Sequence, residues 1–189
     1  MVRADLLRQS SGAYRTRCAI LRPSYSTAND GTSVVAWTLH GWRHMAIEPV
    51  ASSEMRIGPR VLDESECVAR MPYERGIKSD MRVLFPLPCG YLTAGASNVD
   101  TVVMVTGGDS HPELRSGPFH ARCESEILRV TGGHGTATLH VQRGRFGTSA
   151  ASHAAGVMFV PLREYNISGV IDVDDAHAEL LLGLNGAQK

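Results

Sequence analysis

Lysine is nearly absent from this sequence. Only Lys78 and Lys189 occur, so almost all basic charge on the 189 residues is arginine. A GC-rich coding sequence produces such a skew without any role in phosphate recognition. An excess of either sign is absent as well, because 19 Lys and Arg balance 19 Asp and Glu. With no field of one sign to draw the chain onto nucleic acid or an anionic bilayer, neither partner is expected. Long apolar runs are missing. The opening MVRADLLRQSSGAY has no stretch suited to a signal peptide, and nothing after it approaches a membrane span. The expected location is therefore the cytoplasm, or a virion if the protein is structural. Paired cysteines are missing too: Cys18, Cys67, Cys89 and Cys123 lie far apart with no CxxC. That spacing excludes a disulfide framework and a zinc knuckle and fits free thiols in a reducing compartment.

What the chain does have is ordinary globular content, 43% apolar and 20% charged residues, at a length that can bury a real core. Residues 4–9 could make one or two helical turns. No long stretch repeats apolar residues at helical spacing, and glycine and proline interrupt often, which excludes a helix bundle. Short apolar segments bounded by glycine, proline or aspartate predict strands instead. They fall at residues 18–21, 33–39, 81–85, 99–106, 127–130, 136–141, 157–160, 167–171 and 178–182, with a weak one near Val61 or Val68. The expected class is all-β: a jelly-roll or cupin-like barrel over residues 96–189 with a β-rich extension over residues 1–95 packed on it, the soft boundary lying near Gly95.

One segment carries most of the chemical information: HPELRSGPFHARCESEILRVTGGHG, followed by GVMFVPLREYN. Over about residues 97–184 it resembles the cupin superfamily. His120 and Glu126 stand where that family's first histidine and glutamate would, and Gly133 follows at the family's spacing. Gly156, residues 157–160 and Pro161 match the start of the second motif. Arg122 takes the place of the second histidine, Arg163 that of a glycine and Asn166 that of the last histidine. The resemblance implies a barrel whose alternate strand residues converge on a divalent transition metal. Arg122 would bring a permanent cation to such a cluster, so a metal-free barrel is the expected state unless His111, His134, His140 or His153 supplies a ligand. His120, Arg122 and Glu126 then make a titratable base, a donor fork and a carboxylate in one catalytic group. Asn166, Arg163 and His140 would line the pocket beside them. The bland alternative is an Arg122–Glu126 ion pair on the barrel wall.

A rival reading starts from WTLHG around His40 and SDMRVLFPLPCG after Asp80, which look like the histidine and aspartate segments of chymotrypsin-like proteases of the hepatitis C virus type. That mechanism requires a serine nucleophile with an oxyanion-hole loop. Here TGGHG carries His134 where the serine would be, and Ser116 in LRSGP lacks the preceding glycine. Two functions follow as expectations. One is a cupin-like protein or enzyme that takes a small-molecule ligand. The other is a structural subunit, of viral capsid or phage head or tail type, in which the same strands support self-association into a homo-oligomer.

Overall fold

The computed structural model describes residues 14–29, 31–49, 54–57, 60–63, 67–88, 90–106, 117–173 and 177–186. Within them the chain is all-β and antiparallel, with no α-helix. The helical turns expected at residues 4–9 lie outside the described residues. In chain order the strands are β1 (Thr16–Thr27), β2 (Ser33–Pro49), β3 (Glu54–Ile57), β4 (Arg60–Asp63), β5 (Cys67–Pro72), β6 (Arg82–Pro86) and β7 (Gly90–Tyr91). After them come β8 (Val102–Met104), β9 (Phe119–Cys123), β10 (Glu126–Gly132), β11 (Thr138–Gln142), β12 (Met158–Asp172) and β13 (Glu179–Gly186).

Contacts group the chain into two units, residues 1–85 with 164–189, and residues 86–163. Gly95 falls inside the second. In the first unit β1 pairs with β2 and β6, β2 with β5, β5 with β13, and β13 with β12. β12 also neighbours β6, with the Ile167 amide donating to the Met81 carbonyl at 3.1 Å. The pairings therefore run in a circuit. Strict alternation places Cys18 and Ile20 of β1, Ala69 and Met71 of β5, and Leu182 and Leu184 of β13 in one buried cluster, as the two-residue period of a strand requires. β3 and β4 form a separate two-stranded ribbon.

The second unit runs β7, β12, β9, β10, β11, β8. Its ends meet as well: Thr106 N donates to Tyr91 O and Thr93 N to Met104 O, each at 2.8 Å. Val103, Val105, Ala121, Cys123, Leu128 and Val130 form the heart of its core. Two glycines permit the close passages. A Cβ on Gly90 would sit 2.0 Å from the Thr106 carbonyl oxygen, and one on Gly133, whose φ is +76°, 2.0 Å from that of Thr138. Gly133 is thus fixed by the β10–β11 turn itself, whatever motif it also completes.

Candidate functional site

The densest polar cluster lies in the second unit and is centred on Glu126, which opens β10 and shares the inward parity of Leu128 and Val130. A carboxylate in that position, only 2% exposed, must be compensated. The compensation comes from the chain that follows β11. Arg143 grips the carboxylate through Nε to Oε1 and Nη2 to Oε2, both at 2.8 Å. Backbone amides of Gly144 and Ala151 donate to Oε1 at 3.0 Å and to Oε2 at 3.1 Å. His153 completes the set, with Nε2 at 2.8 Å from Glu126 Oε2 and Nδ1 at 2.9 Å from Glu124 Oε2.

Burial alone would raise the Glu126 carboxyl. The hydrogen bonds from Arg143, Ala151, Gly144 and His153 outweigh it and hold the group at about 2. Both oxygens are thereby occupied by donors, which leaves no lone pair for a metal and no proton to give at neutral pH. What the cluster does in this state is fasten the 143–153 segment. Arg143 also reaches the carbonyls of Ser97 and Ala151, the His153 main chain bridges Ala96 in both directions, and the Thr148 hydroxyl accepts from the Ile127 amide.

His120 and Arg122 lie on the opposite face of the sheet. In β9, Ala121 and Cys123 enter the core, so His120 and Arg122 point away from it. His120 packs on the Phe146 ring, with centroids 4.6 Å apart. Arg122 donates through Nη1 to the Glu124 carbonyl at 3.3 Å. The cation on Glu126 is therefore Arg143 and not Arg122, and the catalytic trio expected from sequence is divided between two faces. His140 is exposed in β11, and Arg163 is exposed in β12. Asn166 belongs to the first unit, where its side-chain carbonyl accepts from Arg82 Nε at 3.0 Å. Of the four substitute histidines, His153 is the one brought to Glu126. His134 lies beside Phe119, and His111 is outside the described residues. Among the described residues no group of three or more His, Cys, Asp or Glu side chains is arranged to hold a metal ion.

The first unit has its own charged group at the protease-like histidine. Ile20 of β1 faces Gly41 while Leu21 faces Leu39, which makes His40 the extra residue of a β-bulge and turns it out of the regular alternation. Its Nε2 lies 3.1 Å from Glu74 Oε1. Arg43 grips the same carboxylate with Nε and Nη2 and lies against the bare Cα of Gly41. The hydrogen bonds from Arg43 hold Glu74 below the usual carboxylate range. Asp80 is exposed, Ser116 lies outside the described residues, and the carboxylate partner of His40 is Glu74. Trp37 and Trp42 carry guanidinium groups over their rings, Arg82 at 4.1 Å and Arg17 at 4.6 Å.

Arg143 and Glu74 were not foreseen from sequence. A general argument could have found Arg143: a glutamate in phase with buried Leu128 and Val130 demands a cation, and the arginines just after the next strand are within reach. No helix among the described residues is long and apolar enough to cross a membrane. Compared with known proteins, the chain matches no family model and no curated sequence.

Proposed function

We propose that this protein is a structural subunit that works by assembling, of the kind that builds viral capsids or phage heads and tails, and that it is not an enzyme. The observation that carries the reading is an apolar outer face on the second unit. Leu92, Val103, Val105 and Phe159 fill the core, so their strand neighbours Tyr91, Val102, Met104 and Met158 turn outward, 49, 41, 48 and 47% exposed. Tyr91 and Met158 are direct cross-strand partners, and Thr93 hydrogen-bonds to Met104 on the adjoining strand. A contiguous apolar group of that kind on a sheet face supports an association surface.

The state of the chemical residues supports the same reading. Glu126 is fully engaged by donors, and His120 and Arg122 face away from it. Both circuits of pairings suit small closed barrels, rigid modules that present loops and faces to neighbours. The test is the molar mass of the purified protein by light scattering over a range of concentrations, with electron microscopy of any large species. Tyr91→Lys and Met158→Lys are expected to lower the assembled mass while the circular dichroism spectrum stays unchanged. A wild-type protein that remains monomeric up to its solubility limit sinks the reading.

A further inference from the structure

The hairpin of β1 and β2 continues beyond the sheet that holds its base. β6 pairs with β1 only at Ala19, Ile20 and Leu21, and β5 pairs with β2 only from Ala46 to Pro49. Among the described residues, from Arg22↔Thr38 to Thr27↔Ser33 the two strands pair with each other alone, a two-stranded ribbon about 20 Å long. Such ribbons are marginal in water unless a face is covered. One face here is apolar: Pro23 opposes Trp37 and Tyr25 opposes Val35. Tyr25 and Val35 are 63 and 43% exposed.

The free edges of the ribbon differ. On β1 the edge is interrupted by Pro23, which lacks an N–H. On β2, residues 33–39 read SVVAWTL, with no proline and no charge. That is a run of high strand propensity without the lysines, prolines or bulges that normally guard an edge; the bulge comes only at His40. Between Pro23 and Leu39 the single charged residue is Asp30.

We propose that residues 33–39 of β2 pair antiparallel with the same residues of a second copy, across a two-fold axis near Ala36. The contact makes a four-stranded sheet and joins the Tyr25, Val35 and Trp37 faces of the two copies. This deepens the assembly reading above and rests on it. Two observations select a second copy as the occupant. First, the pairings in each unit run in a circuit, so among the described residues the long open strand edges are those of β1 and β2 outside their pairings with β6 and β5, and of β3–β4. The β3–β4 sequence carries Glu54, Arg56, Arg60 and Asp63, β1 carries Arg22 and β2 carries Arg43 past its bulge, which leaves residues 33–39 of β2 as the edge without charge. Second, a two-fold contact at Ala36 places the 33–39 run opposite its own reverse, Val35 against Trp37 and Ser33 against Leu39, so any charge in the run would be brought close to its own copy. The uncharged SVVAWTL run meets that condition with no like charges opposed.

The experiment uses the full-length chain. Val35→Lys and Val35→Glu are made separately, checked for fold by circular dichroism, and measured by light scattering alone and mixed. Each variant alone is expected to weaken self-association at least about 100-fold, because two like charges then lie on one face as diagonal neighbours across the axis and beside the apolar Trp37 ring. An equimolar mixture is expected to restore the wild-type mass. Ala36→Cys is expected to give an oxidised dimer on a non-reducing gel, and Thr27→Cys is not. If wild type assembles and both Val35 variants assemble equally well, the ribbon contact is overturned while the assembly reading stands. A wild type that never assembles overturns both.

Discussion

Arg143 and Glu126 meet fork to fork, Nε on Oε1 and Nη2 on Oε2 at 2.8 Å, with side chains 8 and 1% exposed. Breaking a buried pair of this kind leaves the survivor as an uncompensated charge. Removing one partner therefore costs more than replacing both with apolar residues. Glu126→Ala is expected to destabilise the protein by about 3–5 kcal/mol and Arg143→Met by a similar amount. The double variant Glu126→Ala, Arg143→Met should cost clearly less than the sum. Urea unfolding of the four proteins tests this, and additive losses would show that the two groups act independently. Since the carboxylate is occupied by donors, dialysis against a chelator should leave the wild-type unfolding midpoint where it was.

The same carboxyl sets an acid limit. Its value is about 2 in the folded protein against 4.5 for an ordinary glutamate, so the folded state favours the ionised form. The stabilisation is fully present above about pH 4.5 and is lost as pH falls through about 2. The size of that shift corresponds to roughly 3 kcal/mol. Wild type and Glu126→Gln should therefore differ most in unfolding free energy near neutral pH and converge towards pH 2. A gap that stays constant down to pH 2 would assign the loss to packing and not to ionisation.

Much of the strand pattern could be read in the sequence, for reasons particular residues make clear. Val102 to Val105 and Leu139 to Val141 alternate cleanly because one side chain in two is buried. β9 escaped because its inward residues are the small Ala121 and Cys123, while its outward ones are histidine and arginine, so FHARC scores as polar. The reach of β1 past Leu21 escaped because RPSYST contains a proline and buries little surface, and the reach of β2 past Leu39 escaped because HGWRHMAIEP is broken by a glycine, a bulge and charged residues. The Glu126 cluster was half legible. The glutamate stood out through its motif spacing, but Arg143 and His153 come from an irregular segment 17 and 27 residues away, where no periodicity points. The Gly133 spacing belongs to a turn that admits no Cβ.

That turn gives a separate test. Gly133 has φ +76° and no room for a methyl group, whereas Gly31, with φ +84°, has nothing within 4 Å of the position a Cβ would take. Both alanine variants suffer the left-handed backbone strain, about 1–2 kcal/mol. Only Gly133→Ala must also displace the Thr138 carbonyl, which accepts from the Thr136 hydroxyl at 2.8 Å. Gly133→Ala is expected to lower the melting temperature well beyond Gly31→Ala. Equal losses would mean that the strand opposite yields without cost.

Cys123 reports on the same region without altering the fold. Its thiol is fully buried and is pushed up to about 12, first by burial and next by the neighbouring Glu126 carboxylate. At pH 8 about one molecule in ten thousand would carry the thiolate, against roughly a quarter for an ordinary cysteine. Modification by iodoacetamide in the native state should therefore await local opening of the second unit. The Cys123 peptide is expected to stay unlabelled in native protein over times that saturate it in urea. In Glu126→Gln labelling should quicken, because the variant loses the anion that anchors residues 143–153 as well as the charge that raises the thiol. Rapid labelling in the wild type would show that the Glu126 cluster does not hold this end of the unit closed.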